Sequence, residues 1–296
     1  AYTFLVNLLR AVLSFASSML IARWLGPSDY GNIAFLLGTF VGVVQLMDMG
    51  TSSAFFTFLS QEKRTKYFVW LFFAWTALRF LLPVLIVSAI LPDQWVANIW
   101  QGHERWVVLL AFFASFMQVG LWPIILQVGE SQRRSYRVQT VGLLVIVAQL
   151  LGYILLNAFG YMEIEYVFGL IAIEYAVASI IAHKGFKYAK LVVNEKTEES
   201  LSSVGGMYWK YCSPLVPYMV VGFGYEFLDR WMLQKFGGSV EQAYYSISAQ
   251  LASIALLATA SVIKIFWKEI AEANQNGDKA RIGMLFNKTT MIMFSI

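Results

Sequence analysis

The sequence predicts an all-α polytopic membrane protein, with eight complete transmembrane helices and the start of a ninth. Three observations carry that prediction. The 296 residues are 58% hydrophobic and only 14% charged, against about 25% charged in a soluble domain. Mostly apolar runs of twenty or more residues recur, and each is long enough for a hydrocarbon core of about 30 Å. Lys and Arg crowd into alternate connections between those runs. A soluble protein of this size has no interior large enough for that much apolar surface.

In chain order the runs are 2–24, 31–59, 67–91, 106–128, 138–158, 163–182, 208–235 and 243–267, with another from 282 onward. The first ends in "ARWLGPSDYG", residues 22–31, where Gly26 and Pro27 stop one helix and Gly31 admits the next. The second and third carry Asp48 and Arg79, and Pro83 and Pro123 read as kinks in the third and fourth. The sixth holds Glu174. Residues 183–207, with "HKGFKYAKLVVNEKTEES", form the one long polar connection, either a plain solvated linker or a basic amphipathic helix on the membrane surface. The seventh run contains Pro214, Pro217, Gly222 and Gly224, which predicts a bend around Pro217 to Gly224. The domains are therefore 1–182, a first six-helix bundle; 183–207, a cytoplasmic linker; and 208–296, an incomplete second bundle. The chain starts and stops inside apolar runs and is expected to be a fragment of a longer protein.

Orientation follows from the cations. The connections after runs two, four, six and eight hold thirteen Lys and Arg, and the other connections hold Arg23, Arg105 and Lys235. The bias puts the amino end and the linker in the cytoplasm and residues 22–31 outside. It also accounts for the basic pI near 9.0 without a nucleic-acid partner. Trp24, Trp95, Trp106 and Trp231 fall near outer ends, and Trp70, Trp209 and Trp267 near inner ends, as interfacial indoles do. The single cysteine, Cys212, excludes an internal disulfide, and two histidines make no metal cluster. No cofactor is expected.

A fainter copy of the first loop follows run seven. "RWLGPSDYGNIAFLLG" and "QKFGGSVEQAYYSISAQL" align Gly26 with Gly237 and Ser28 with Ser239, and a one-residue shift sets Gly31 against Ala243. Six spans separate the copies, so they share a side of the membrane, as in a parallel repeat.

The stretch Leu25-Gly26-Pro27, Asp29-Tyr30-Gly31 and then Asp48 with Gly50 resembles the first two helices of polysaccharide flippases of the multidrug/oligosaccharidyl-lipid/polysaccharide exporter superfamily, the Wzx-like O-antigen flippases. Asp229-Arg230, Phe236-Gly237 and a following Tyr resemble the start of that family's second bundle, and "EIAEANQNGDKAR" resembles its next cytoplasmic loop. Ala243 where the family has Gly, and the lack of Pro between Lys264 and Trp267, are departures. The resemblance implies two six-helix bundles forming a V around a central cavity. It also implies a lipid-linked oligosaccharide as substrate in a bacterial or archaeal cytoplasmic membrane, a coupling proton or sodium ion, and polysaccharide polymerase machinery as a partner.

Charges inside the runs are the candidate site. A charge at mid-bilayer costs about 2.5–3.5 kcal/mol on insertion scales, so Arg10, Asp48, Arg79, Glu174 and Glu226 must pair or line water. At 1.5 Å per residue, Arg10 and Asp48 lie about 21 and 25 Å below the outer end, and Arg79 and Glu174 about 18 and 17 Å. These depths allow an Arg10–Asp48 pair and an Arg79–Glu174 pair. Two readings stand for each charge. In one, Arg10, Arg79 and Arg230 line the substrate cavity and bind diphosphate, which suits a guanidinium fork, while Asp48, Glu174 and Glu226 couple an ion. In the other, they are structural pairs, and Asp229-Arg230 fixes helix seven near its outer end.

The leading expectation is a non-enzymatic transporter that flips a polyprenyl-diphosphate-linked oligosaccharide by alternating access. A drug or small-molecule cation antiporter of the same superfamily is the alternative within that class. A membrane-embedded polysaccharide ligase or polymerase is the alternative outside it. Against the last, the outer loop 92–105 offers only Asp93, His103, Glu104 and Arg105, and no Walker, dinucleotide or HExxH motif occurs.

Overall fold

A computed structural model describes residues 2–61, 64–131, 135–184, 200–253 and 278–294. These are almost wholly helical, with no strand among the described residues. Two compact units divide the chain, Ala1–Tyr244 and Tyr245–Ile296.

The first unit begins with α1, Tyr2–Asp48, which passes through "ARWLGPSDYG" without a loop. Only Gly26 departs from helical geometry, at φ 79° and ψ 166°. Ser18 Oγ and Tyr30 OH nevertheless lie 2.5 Å apart. Twelve residues of straight helix would separate them by about 18 Å along the axis, beyond the reach of both side chains. The chain therefore doubles back at Gly26. Glycine tolerates that left-handed φ, and Pro27 suits the first turn of the returning leg because it has no N–H to satisfy. The expectation of two helices joined by a turn is kept, but the turn is one residue wide. Gly31 is part of the returning leg rather than its entrance.

The second apolar run is not continuous. Met49 and Gly50 have φ of 49° and 80°, so α1 stops at Asp48 and α2 (Thr51–Gln61) starts afresh. Helix α3 (Lys66–Leu85) is capped by Thr65, whose hydroxyl accepts from Phe68 N. It carries Pro83 and runs on into a π-helical turn at Ile86–Ile90. The loop 92–105 contains a short helix, α4 (Asp93–Ile99). Helix α5 (Arg105–Ser115) widens into a π segment at Phe116–Leu121 and continues as α6 (Trp122–Ser131). Pro123 cannot donate to the carbonyl four residues back, and the ladder shifts register just ahead of it. Helices α7 (Ser135–Ala158) and α8 (Ile164–His183) match the predicted runs.

The seventh run begins earlier and breaks in a different place from the one expected. Helix α9 (Leu201–Cys212), capped by Ser200, occupies part of the predicted linker. A 3₁₀ turn at Ser213–Leu215 then leads into α10 (Val216–Phe236). Pro214 and Pro217 each lack an N–H, so the irregularity collects there. Helix α10 stays α-helical through Gly222 and Gly224. The expected bend over Pro217 to Gly224 is thus displaced toward the amino end. Residues 239–253 are also helical (α11). The basic heart of the linker (185–199) and the end of the eighth run, with Lys264 and Trp267, lie outside the described residues.

In this unit α1 packs along α5, α7 and α10, α5 and α7 pack on α8, and α2 and α3 pack on α9. Phenylalanines fill the interior. Phe35, Phe40, Phe55, Phe68, Phe72, Phe112 and Phe168 are fully buried, and Phe55 stacks on Phe72 with centroids 3.9 Å apart. The second unit contains the remainder of α11 and α12 (Lys279–Phe294), where Asp278 accepts from Arg281 N at 2.9 Å.

Among the described residues five helices are long and apolar enough to cross a membrane: Leu8–Asp48, Lys66–Ile90, Arg105–Gly129, Tyr136–Ala158 and Ile164–His183. The first contains both legs of α1. Large apolar side chains such as Leu81, Leu85, Leu144, Leu151, Ile173 and Ile180 lie exposed on the outside of these helices, as in a multi-pass membrane protein.

Candidate functional site

The charges inside the apolar helices fall into three groups, and the pairing differs from that allowed by depth alone. Asp48 sits at the break between α1 and α2. The break frees the first N–H groups of α2, and Asp48 caps them. It accepts from Ser52 N at 3.3 Å, Ser52 Oγ at 2.5 Å and Thr51 Oγ1 at 3.3 Å. Arg79 of α3 closes on the same carboxylate at 2.6 Å and reaches Ser52 Oγ at 3.4 Å. Its side chain is 3% exposed. The Arg10–Asp48 and Arg79–Glu174 pairs allowed by depth are therefore not formed. Depth along a straight helix does not register the break at Met49–Gly50, which leaves Asp48 at a helix end where it caps α2 beside Arg79.

Arg10 lies instead in a second, polar group between α1, α7, α8 and the π segment. It donates to Gln139 Oε1 at 3.3 Å. Its guanidinium covers Gly142, where an added Cβ would lie 3.4 Å from it and equally far from the Trp122 ring. Trp122 meets Tyr175 with ring centroids 6.2 Å apart, and Gln118 Nε2 donates to Tyr175 OH at 3.5 Å. Glu174 is next along α8. Its Oε1 approaches the bare face of Gly152, and its buried Oε2 has no hydrogen-bond partner among the described residues. Among the described residues no carboxylate pairs with Arg10 and no cation pairs with Glu174. Gln118, Gln139 and Tyr175 were not among the sequence candidates. The available signal was a neutral polar side chain inside an apolar run, and Gln118 coincides with a π turn, a feature often found at functional sites.

The third group is a seam between the returning leg of α1 and α10. Arg230 Nε is 3.5 Å from Glu226 Oε2 one turn away, and Nη1 lies 3.5 Å from the Ala34 carbonyl, which accepts from it. The guanidinium rests directly on Gly38, and Gly42 faces Phe223. Gln234 Nε2 donates to Asn32 Oδ1 at 2.9 Å, and Ser28 Oγ and Ser239 Oγ are 2.9 Å apart. The Ser239 carbonyl presses on Gly31 where a Cβ would be. Arg230 of the Asp229-Arg230 pair engages α1, and Asp229 is exposed.

The same seam corrects the repeat alignment. Gly237 caps α10 with φ −96°, and the left-handed residue is Gly238 at φ 87°. Setting Gly238 against Gly26 removes the one-residue shift. Asp29 then matches Glu241, buried Tyr30 matches buried Gln242, and Gly31 matches Ala243, 1% exposed.

At the end of the molecule bearing the α1 turn, His103 lies within electrostatic reach of Asp29 and Glu165. Burial holds its imidazole below the usual histidine range, and the two carboxylates offset part of that effect. Residues 22–31, the α4–α5 connection and the start of α8 therefore share one end, as the alternating topology requires. Arg105 clamps this end, donating to Asp93 Oδ1 at 2.6 Å and to the Ser88 and Leu91 carbonyls at 2.6 and 2.8 Å.

No protein-family model matches the chain, and no curated protein or solved structure matches it.

Proposed function

We propose that the chain belongs to a transporter that flips a polyprenyl-diphosphate-linked oligosaccharide across a bacterial or archaeal cytoplasmic membrane. It works by alternating access and has no covalent step. The observation that carries this reading is Arg10, a guanidinium with no carboxylate partner among the described residues, set beside buried Gln139, Trp122 and Tyr175 and half-buried Gln118. An uncompensated cation in an apolar bundle is costly, and an anion relieves that cost. A planar fork suits a diphosphate.

Glu174, whose Oε2 lacks a partner, is the carboxyl best placed to carry the coupling ion, a proton or sodium. Asp48 is held by Arg79 and two hydroxyls, which favours a structural role for that pair. Glu226 and Arg230 brace the α1–α10 seam, and the seam serves as a gate between two bundles. Eight spans and the start of a ninth, with the amino end cytoplasmic, agree with the cation bias. Polymerase machinery is the natural acceptor of the flipped product.

The test is complementation of a flippase-null bacterium by the full-length gene carrying Arg10→Ala or Glu174→Gln. Loss of surface polysaccharide, with lipid-linked sugar accumulating on the inner leaflet, is expected for both variants. Full rescue by both variants overturns the assignment of the site. Failure of the unaltered full-length gene to restore flipping overturns the function.

A further inference from the structure

A cavity of about 280 Å³ opens between the start of α2, α3 and α9, beside the Asp48–Arg79 group, whose Thr51 is part of its wall. Leu71, Phe72, Trp75, Trp209, Cys212 and Val216 give it an almost wholly apolar wall. Trp209 at its rim is 70% exposed, so the cavity is open at the side. At one end Tyr208 stacks on Phe68 with centroids 5.0 Å apart, and its buried hydroxyl has no hydrogen-bond partner. Arg64, just ahead of α3, lies at that end with its Nη1 4.0 Å from Met207 Sδ. Exposed Lys66 stands there and exposed Lys210 stands beside the rim, neither with a carboxylate partner among the described residues. From Lys66 to Trp75 is nine residues, about 14 Å of helix, close to the depth of one leaflet of a core about 30 Å thick.

We propose that this groove holds one acyl chain of an anionic phospholipid. The acyl chain runs from Arg64 and the start of α3 down to Trp75, where the apolar wall replaces neighbouring lipid. The headgroup end meets Lys66, and Tyr208 OH donates to an ester or phosphate oxygen. Two ammonium groups near the mouth, without a carboxylate partner among the described residues, select a negative headgroup over a zwitterionic one. The proposal goes beyond the flipping activity and rests only on the chain being membrane-embedded.

The test uses full-length protein in nanodiscs containing phosphatidylglycerol or phosphatidylcholine, each with a photoactivatable acyl chain. Labelling of peptides 71–75 and 205–216 is expected with phosphatidylglycerol and is expected to be weak with phosphatidylcholine. Gly205→Leu should abolish it, since a Cβ at Gly205 meets nothing within 4 Å and the added side chain enters the cavity. Lys66→Gln should equalise the two lipids. Label absent from both peptides in the unaltered protein, or unchanged by Gly205→Leu, overturns the proposal, as does a cross-link showing another protein segment in the groove. A chain released from membranes by alkaline wash overturns the membrane reading itself. A retained chain without label overturns this inference alone.

Discussion

Arg79 and Asp48 meet at 2.6 Å where an apolar run is cut in two, and Arg79 is 3% exposed. The pair does two jobs. It neutralises a cation that α3 carries into the interior, and it holds the carboxylate that caps α2. Irregular backbone at membrane depth is tolerated only where it is covered by protein. Here Leu215 of the 3₁₀ turn packs on Gly50, 2.6 Å from where a Cβ would be.

Removing one partner should therefore be costly. Asp48→Ala leaves Arg79 buried without its counter-charge, and such changes cost about 3–5 kcal/mol. Asp48→Ala combined with Arg79→Met should recover part of that loss. Thermal melting of the full-length protein in detergent checks both. A double variant no more stable than the single one contradicts a structural pair.

The seam between α1 and α10 should gate transport. With Ser28→Cys and Ser239→Cys introduced and Cys212→Ser removing the native thiol, oxidation should form a disulfide, since the native hydroxyl oxygens are 2.9 Å apart. The oxidised protein should lose transport and regain it with reductant. Undiminished transport by fully cross-linked protein removes the gate.

Glycines on the two helices should behave in opposite ways. Gly31→Ala places a methyl group against the Ser239 backbone, and overpacking of this kind costs about 1–3 kcal/mol. Gly222→Ala meets nothing within 4 Å and should be neutral or stabilising by up to about 1 kcal/mol through helix propensity. Melting curves separate the two. A transport defect in a stable Gly222→Ala protein would restore the hinge role read from the sequence.

His103 sets an acid limit. Its folded pKa lies below the unfolded value of about 6.5, so near and just below that pH the unfolded chain binds more protons. Stability should decline as pH drops below about 6.5 and level off under the folded pKa. His103→Gln should flatten that step in a series of melting temperatures between pH 7.5 and 5. An unchanged step assigns the acid sensitivity to another group.

Much of the fold was legible in the chain. The apolar runs marked α3, α7 and α8 to within a few residues, because span length is a local consequence of bilayer thickness. Residues 22–31 marked a reversal, because Gly26 and Pro27 are the residue types that end one helix and begin another. Asp48, Arg79, Glu174 and Arg10 stood out, because a charge in an apolar run needs a reason wherever the run packs.

Other features depended on contacts between distant segments. The sequence alone does not show that Met49 adopts a left-handed conformation beside Gly50. Without that break, depth along the axis favours the wrong partners. Whether Arg10 finds a carboxylate is decided by which helices surround it, and they present Gln139 and Tyr175. The repeat register was one residue out until Gly238, rather than Gly237, proved to have the positive φ. Composition and periodicity determined that this chain makes long apolar helices and that residues 22–31 reverse it. Tertiary structure decided which buried charges meet, because pairing depends on angstrom-scale packing between helices far apart in sequence.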